Sequence, residues 1–296
     1  MSTPPRRPDQ ATAVDVAIVN WNTTAAAVEA ARAYVASEGV EARVTIVDND
    51  SAPEQRELLG EGSRGSLVTD SATKEPRDSV RLELLDENAG YGRAANLALD
   101  GGEAELICVS NADVVPQPGA LAALAAVAAA EPRAGMVGPA FGVDPDPYHS
   151  ALPTGMQMLG RIVAGSFDRP GIPEPAPGEV VEVGQPSGAC FLMRRAVWEQ
   201  LGGFDEGFFL WYEDVDLAKR LEDAGYRNLV SGSARVSHAG AGSFAQVDRR
   251  RQQAIRLDSV RRYIGKHHPG PVAALSRPLL AAARRLRADG TSEAER

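Results

Sequence analysis

The sequence predicts an α/β fold: a mainly parallel sheet flanked by helices, with a helical, basic C-terminal extension. Three observations predict it. Short β-branched runs alternate with helical stretches from Val14 to about residue 140, the pattern that folds as right-handed βαβ units. Several of those runs end in clustered Asn and Asp, and parallel sheets take their ligands beyond the carboxyl ends of their strands. Charge is divided unevenly: residues 249–296 hold 12 Arg and Lys against 4 Asp and Glu, a net +8 that with −17 on the preceding 248 residues makes the chain's −9.

Composition narrows the function classes. With 296 residues, 44% hydrophobic and 24% charged, the chain suits one large domain with an appendage, or two domains, and is no disordered, collagen-like or polytopic membrane protein. The longest uncharged apolar run, Ala120 to Ala130, has 11 residues, where a crossing needs about 20. Arg6 and Arg7 precede no apolar run, so no secretory signal is visible and a cytoplasmic location is expected. Cys108 and Cys190 lack Cys-x-x-Cys spacing and are expected as buried free thiols. There are 28 arginines but only Lys74, Lys219 and Lys266, a bias beside which alanine runs carry little weight. An acidic body argues against nucleic-acid binding, whereas a basic extension suits an anionic membrane surface or a phosphate-bearing partner.

Residues 1–13 lack periodicity and read as a disordered lead. Val14 to Val19 is a buried strand ended by Asn20-Trp21-Asn22, after which Thr23 or Thr24 caps a helix running to about Ser37. Gly39 closes that helix, and Arg43 to Val47 forms a second strand ending in Asp48-Asn49-Asp50-Ser51. Residues 60–79 read as a flexible insertion, followed by a third strand, Val80 to Leu85, that leads to Asn88. Alternation continues with helix 91–100, strand 105–109, helix 117–131 and strand 135–140. Residues 142–186 are rich in Pro and Gly and read as a long connection of the kind that forms functional lids. Regular structure resumes at Ser187 to Met193, then helix 195–201, a helix from Glu213 to before Gly225, and strand 227–230 before Val236-Ser237-His238.

Four segments can carry chemistry. Asn111-Ala112-Asp113 ends a charge-free strand, where a carboxylate can hold a hard divalent cation that bridges a diphosphate, or merely cap the next turn. Asn88-Ala89-Gly90-Tyr91-Gly92-Arg93-Ala94-Ala95-Asn96 places two glycines where backbone amides can approach an anionic ligand. It is neither a Gly-x-Gly-x-x-Gly fingerprint nor a P-loop, which weakens an NAD or NTPase reading. Trp211-Tyr212-Glu213-Asp214-Val215-Asp216 sets three acids after Phe208, Phe209 and Leu210, either as first-turn acids favoured by the helix dipole or as a base beside a sugar-binding wall. With successive helical residues turned by about 100°, the three acids cannot all face one atom; Asp216 points elsewhere, leaving Glu213 and Asp214. His238 alone would ordinarily be structural, and His267 and His268 show no evident partners.

Taken together, these segments resemble the family 2 glycosyltransferases of GT-A fold, a Rossmann-like α/β architecture, and within them the bacterial rhamnosyltransferase-like branch. The carriers are Val16 to Asn22, Val47 to Ser51, Asn88 to Asn96, Asn111 to Asp113, Gly202-Gly203-Phe204-Asp205-Glu206-Gly207-Phe208-Phe209, Trp211 to Asp216, and His238. The resemblance covers about residues 14–245 and implies a nucleotide-sugar half over 14–115, an acceptor half over 116–245 and a basic arm over 246–296. It implies that Asn20, Asn22, Asp48, Asn88, Gly90, Tyr91, Gly92, Asn96 and Asn111 contact the donor, and that Phe209 and Trp211 face the acceptor. By the same resemblance Asp113 and His238 serve an Mg²⁺ or Mn²⁺ ion, and Asp214 is the general base with Glu213 beside it. Asn111 departs from the family's Asp-x-Asp pattern and removes one carboxylate from the cation's ligands.

The implied reaction is inverting transfer of a sugar, L-rhamnose by the branch resemblance, from a nucleoside diphosphate donor such as dTDP-rhamnose to a hydroxyl of a glycan or lipid-linked acceptor. A uridine diphosphate hexose or galactofuranose donor, and a non-catalytic nucleotide-sugar binding module, are the alternatives. A nucleotidyltransferase would need a basic Gly-rich signature near the first strand, which Asn20-Trp21-Asn22 does not supply. In the arm, a helix capped by Ser276 and begun by Pro278 would gather Leu279, Ala282 and Leu286 on one side and Arg284 and Arg287 on the other. That pattern suits peripheral attachment to the inner membrane face, and equally a packing helix or a solvated tail.

Overall fold

The structure, a computed structural model, describes residues 11–64, 80–142, 148–167, 170–238 and 247–289. The alternation read from the sequence folds as expected in its first half. Strand β1 (Thr12–Asn20), helix α1 (Thr24–Val35), β2 (Val40–Asp48), α2 (Pro53–Arg64), β3 (Val80–Leu84), α3 (Tyr91–Leu99) and β4 (Leu106–Asn111) follow in order. Val14, Val16 and Ile18 of β1 pack into one core and Ala17 and Val19 into another, which explains the unbroken apolar run: a parallel strand is covered on both faces. The expected disordered lead is shortened at its end, because Thr12 and Ala13 pair in register with Val40 and Glu41. Helix α2 is an addition to the expected alternation, and its residues 60–64 occupy the start of the stretch read as a flexible insertion; residues 1–10 and 65–79 lie outside the described residues.

After β4 come β5 (Val114–Pro116), α4 (Ala120–Ala130), β6 (Ala134–Phe141), β7 (His149–Ser150), α5 (Gly155–Ala164), β8 (Gly171–Ile172), β9 (Val180–Glu182), β10 (Cys190–Arg194), α6 (Arg195–Leu201), α7 (Glu213–Asp223), β11 (Arg227–His238), α8 (Arg249–His267) and α9 (Pro271–Asp289). The main sheet has the order β3-β2-β1-β4-β10-β6-β11-β5, with β9 beside β11. Strands β3, β2, β1 and β4 run parallel, as do β6 and β11, while β10 is antiparallel to both its neighbours. Register brings the polar strand ends level: Asn20 lies opposite Asp48, and Val19 opposite Asn111. Cys108 and Cys190 are buried free thiols, and the Tyr34 hydroxyl lies 3.3 Å from the Cys190 sulfur.

Two expectations are revised. The connection 142–186 contains a real helix, α5, which starts at a capping box in which Thr154 accepts from the Gln157 amide and Gln157 returns the bond; the Thr-x-x-Gln signature was there to be read. The arm is a packed helical pair rather than a helix begun at Pro278. Helix α9 starts at Pro271, contains Pro278, and turns Ser276, Leu280 and Ala283 inward while Ala282 is exposed. Met158 and Ile162 of α5, Val215 of α7, Val260, Tyr263 and Ile264 of α8 and Leu280 of α9 form a third core. The Leu286 and Arg287 side chains lie outside the described residues. Among the described residues no helix is long and apolar enough to cross a membrane.

Candidate active site

A cleft of about 360 Å³ opens beyond the carboxyl ends of β1 and β4. Asp113 and His238, far apart in sequence, meet there because β5 pairs antiparallel with the end of β11, setting Val114 opposite His238. The Asp113 Oδ1 to His238 Nε2 distance is 3.1 Å. Both side chains line the cleft, as does Asn111.

The far wall begins with backbone in an uncommon conformation. Trp211 and Tyr212 have φ of 61° and 70°, a consecutive pair of left-handed residues without glycine, which costs on the order of 1–3 kcal/mol each and persists where the surroundings impose it. This turn lays Phe209, Leu210 and Trp211 along the cleft and starts α7 so that Glu213 and Asp214 both line it. Asp214 is held at each oxygen: the Val215 amide donates to Oδ1 at 2.8 Å, and the Gln185 side-chain amide donates to Oδ2. Gln185 is itself fixed, with its Oε1 accepting from Ser150 Oγ at 3.2 Å and its backbone bridged to Ser150. The Tyr91 hydroxyl is buried without a hydrogen-bond partner; burial, then the charges of Glu213 and Asp214, push it well above the usual tyrosine range, so it stays protonated.

The glycine loop and the aromatic wall are one unit. The Tyr91 amide donates to the Phe209 carbonyl at 2.9 Å, and at Gly90, with φ of 84°, a Cβ would lie 2.5 Å from that oxygen. Only glycine fits there. Asn49 ties the loop to β2 by accepting from the Ala89 amide at 2.8 Å and donating to Asn88 Oδ1 at 3.2 Å. Asn88, Gly90, Tyr91, Asn111, Asp113, Phe209, Trp211, Glu213, Asp214 and His238 therefore all line the cleft.

The remaining sequence-derived donor residues stand behind it. Asp48 is fully buried and accepts from Asn20 Nδ2 at 2.9 Å, the Ser51 amide at 3.0 Å and Arg56 Nε at 2.9 Å. Asn20, equally buried, orders the same turn. Asn22 Oδ1 accepts from the Ala52 amide at 2.7 Å, Gly92 packs under Phe204, and Asn96 is bonded to the Phe204 backbone through both its amide atoms. In this structure these five shape the cleft wall from within.

Sequence reasoning singled out Asn49 only as a polar strand end and missed two further contributors. Asn49 holds the glycine loop, Gln185 orients Asp214, and α8 closes the cleft with Arg251, Gln252 and Ile255. It also left His267 and His268 without partners, whereas His267 Nε2 lies 2.7 Å from Asp216 Oδ1 and His268 Nε2 lies 3.2 Å from the Pro153 carbonyl. Asp216 does point away from the cleft, as the helical geometry predicts, into ion pairs with Arg220 and Lys266.

Comparison with known proteins shows the family and the fold. The model of the family described as glycosyltransferase like family 2 matches residues 13–256. An N-acetylglucosaminyl-diphospho-decaprenol L-rhamnosyltransferase of Mycobacterium tuberculosis is 36% identical over 199 residues, which cover 59% of this chain and 64% of the relative. The match thus spans less than two thirds of that relative's length. The mannosyltransferase PcManGT of Pyrobaculum calidifontis, solved with GDP-Man and Mn²⁺, superimposes with a TM-score of 0.57 at 19% identity over 98% of this chain and 82% of its own. GalNAc-T7, solved with UDP, GalNAc and Mn²⁺, gives a TM-score of 0.60 at 13% identity over 92% of this chain and 55% of its own.

Proposed function

We propose, from the premise that this chain belongs to the family 2 glycosyltransferases, that it transfers L-rhamnose from dTDP-rhamnose to a hydroxyl of a lipid-linked glycan with inversion at the anomeric carbon. The fold is GT-A and the chain is a glycosyltransferase. The observation that carries the finer reading is the gathering of a held carboxylate, Asp214, and the Asp113–His238 pair in one cleft beneath an aromatic wall. The rhamnosyl donor and the lipid-linked acceptor are supported by the mycobacterial relative.

Asp214 takes the proton of the acceptor hydroxyl as that oxygen bonds to the anomeric carbon, and the bond from that carbon to the donor phosphate breaks with its electron pair leaving on the nucleoside diphosphate. Glu213, adjacent and lining the same cleft, positions the acceptor. The protonated Tyr91 hydroxyl, with no internal partner, is available to donate to a sugar or phosphate oxygen. Trp211, braced by the Arg256 guanidinium 4.3 Å from its ring centroid, gives the acceptor sugar a flat apolar surface.

The residues present fit a divalent cation. Asp113 and His238 aim a carboxylate and an imidazole into the cleft, and the buried His238 Nδ1 has no partner. Among the described residues no three acidic, His or Cys side chains cluster as a complete cage, which suits an ion completed by phosphate oxygens and water. Such an ion would neutralise charge on the departing diphosphate. Calorimetry is expected to show dTDP affinity falling by about tenfold or more in a chelator and in Asp113→Ala; affinity unchanged by both would remove the cation from this reading.

The donor is tested by released nucleoside diphosphate across a panel of nucleotide sugars. Fastest turnover is expected with dTDP-rhamnose. A faster uridine diphosphate hexose would replace the donor, and binding without turnover of any donor and acceptor would favour a binding module. A peripheral contact with an anionic membrane is supported by exposed Met156 and Val163 on α5 and Leu275 on α9, with Arg277 and Arg285 also exposed on α9.

A further inference from the structure

We propose that Arg251 binds the diphosphate of the nucleotide donor, an assignment that rests on the donor reading above. The described lining of the cleft holds three carboxylates, Asp113, Glu213 and Asp214, and one permanent cation, the Arg251 guanidinium. A diphosphate brings more negative charge into that space. Like charges close together repel more strongly near a protein surface than in bulk water, so a counter-charge in the cleft favours binding of the diphosphate.

The position of Arg251 is set by the rest of α8. Ser259 Oγ donates to the Leu210 carbonyl at 2.7 Å, Arg256 lies over Trp211, and Tyr263 and Ile264 are buried. These contacts fix the helix register and turn Arg251, Gln252 and Ile255 toward the cleft. Anion binding there falls to the side chain and not to the helix end, because the Arg250 and Arg251 amides already donate to the Asp248 carboxylate at 2.8 and 3.1 Å. Other basic side chains on α8 are committed: Arg262 and Lys266 to Asp205, and Arg261 to Asp258. Among the described residues the Arg251 guanidinium pairs with no carboxylate.

Asn111 lines the cleft with Asp113 but is uncharged, so it adds no charge toward meeting the diphosphate through a cation on that side. A planar guanidinium meets two phosphate oxygens at once, which an ammonium does not.

The test is calorimetry on the full chain with thymidine, dTMP and dTDP, each in Mn²⁺ and in chelator, for the wild type, Arg251→Ala and Arg251→Lys, repeated with uridine, UMP and UDP. Arg251→Ala is expected to weaken dTDP by about tenfold or more, and further in chelator, while thymidine changes by less than about twofold and Arg251→Lys recovers part of the loss. Unchanged dTDP affinity in Arg251→Ala overturns the assignment. So does an equal loss for thymidine and dTDP, which would mean that the residue only shapes the cleft. A wild type that binds neither nucleoside diphosphate overturns the donor reading itself, and the assignment with it.

Discussion

Asp214→Asn is expected to lower turnover by about a hundredfold or more while leaving donor affinity nearly unchanged. The substitution keeps size and one acceptor oxygen but removes the basic carboxylate. General-base assistance is worth about 10²–10⁴ in rate, or roughly 3–5 kcal/mol of barrier. The structure adds a reason to single out this carboxylate. The Val215 and Gln185 donors fix both oxygens of this carboxylate, and Gly188 approaches so closely that a Cβ there would lie 2.6 Å from Asp214 Oδ2. Glu213 lines the cleft from the preceding position, so Glu213→Gln is expected to affect acceptor use more than the chemical step. Steady-state rates for both variants, with donor binding measured separately, decide it. Near-normal turnover in Asp214→Asn would pass the role to Glu213.

The parts of the site that were legible in the sequence are those written locally. Asn111 to Asp113 ends the buried strand β4, and Asn88 to Tyr91 and Trp211 to Asp214 stand out by their local clustering of Gly, Asn, aromatic and acidic residues. What was not legible depends on pairings across long stretches of chain. His238 is legible only through the family resemblance, its place beside Asp113 coming from the pairing of β11 with β5, and Gln185 reaches Asp214 because its backbone bridges Ser150. Asp48 and Asn20 are a different case. Their strand-end position was read correctly, but polar side chains at a strand end can also satisfy each other, and here Arg56 and Ser51 complete a closed network around them. The arm's positive charge, summed over the sequence, suits an outward partner or a packing helix, and in the structure Arg262, Lys266 and His267 face acids of the body while Arg277 and Arg285 are exposed.

That inward pairing makes Asp216 the structural counterpart of Asp214, and Asp216→Ala is expected to lower the stability of the α8 docking without removing a side chain that lines the cleft. The Asp216 side chain has no solvent exposure and meets Arg220 Nε at 2.7 Å, Lys266 Nζ at 2.8 Å and His267 Nε2 at 2.7 Å. Removing the acid leaves these groups facing one another at the base of α8, and losing one partner of a buried ion pair costs about 3–5 kcal/mol. At roughly 2–4 °C per kcal/mol for a chain of this size class, a melting point lower by about 6 °C or more is expected. The network also sets an acid limit. Burial opposes ionisation of Asp205 and Asp216, but hydrogen bonds from Arg262 and Lys266 to the first, and from His267 and Lys266 to the second, outweigh it and hold both below the usual carboxylate range. Because both acids are depressed in the folded state, the unfolded chain binds more protons from about pH 4 downward. Stability is therefore fully present above that pH and is lost as the pH falls further. Denaturation curves from pH 3 to 7 should show this loss in the wild type and a flatter profile in Asp216→Ala. At a temperature where the variant stays folded, its turnover should remain within a few-fold of wild type; a hundredfold loss there, with the melting point unchanged, would return Asp216 to the reacting centre.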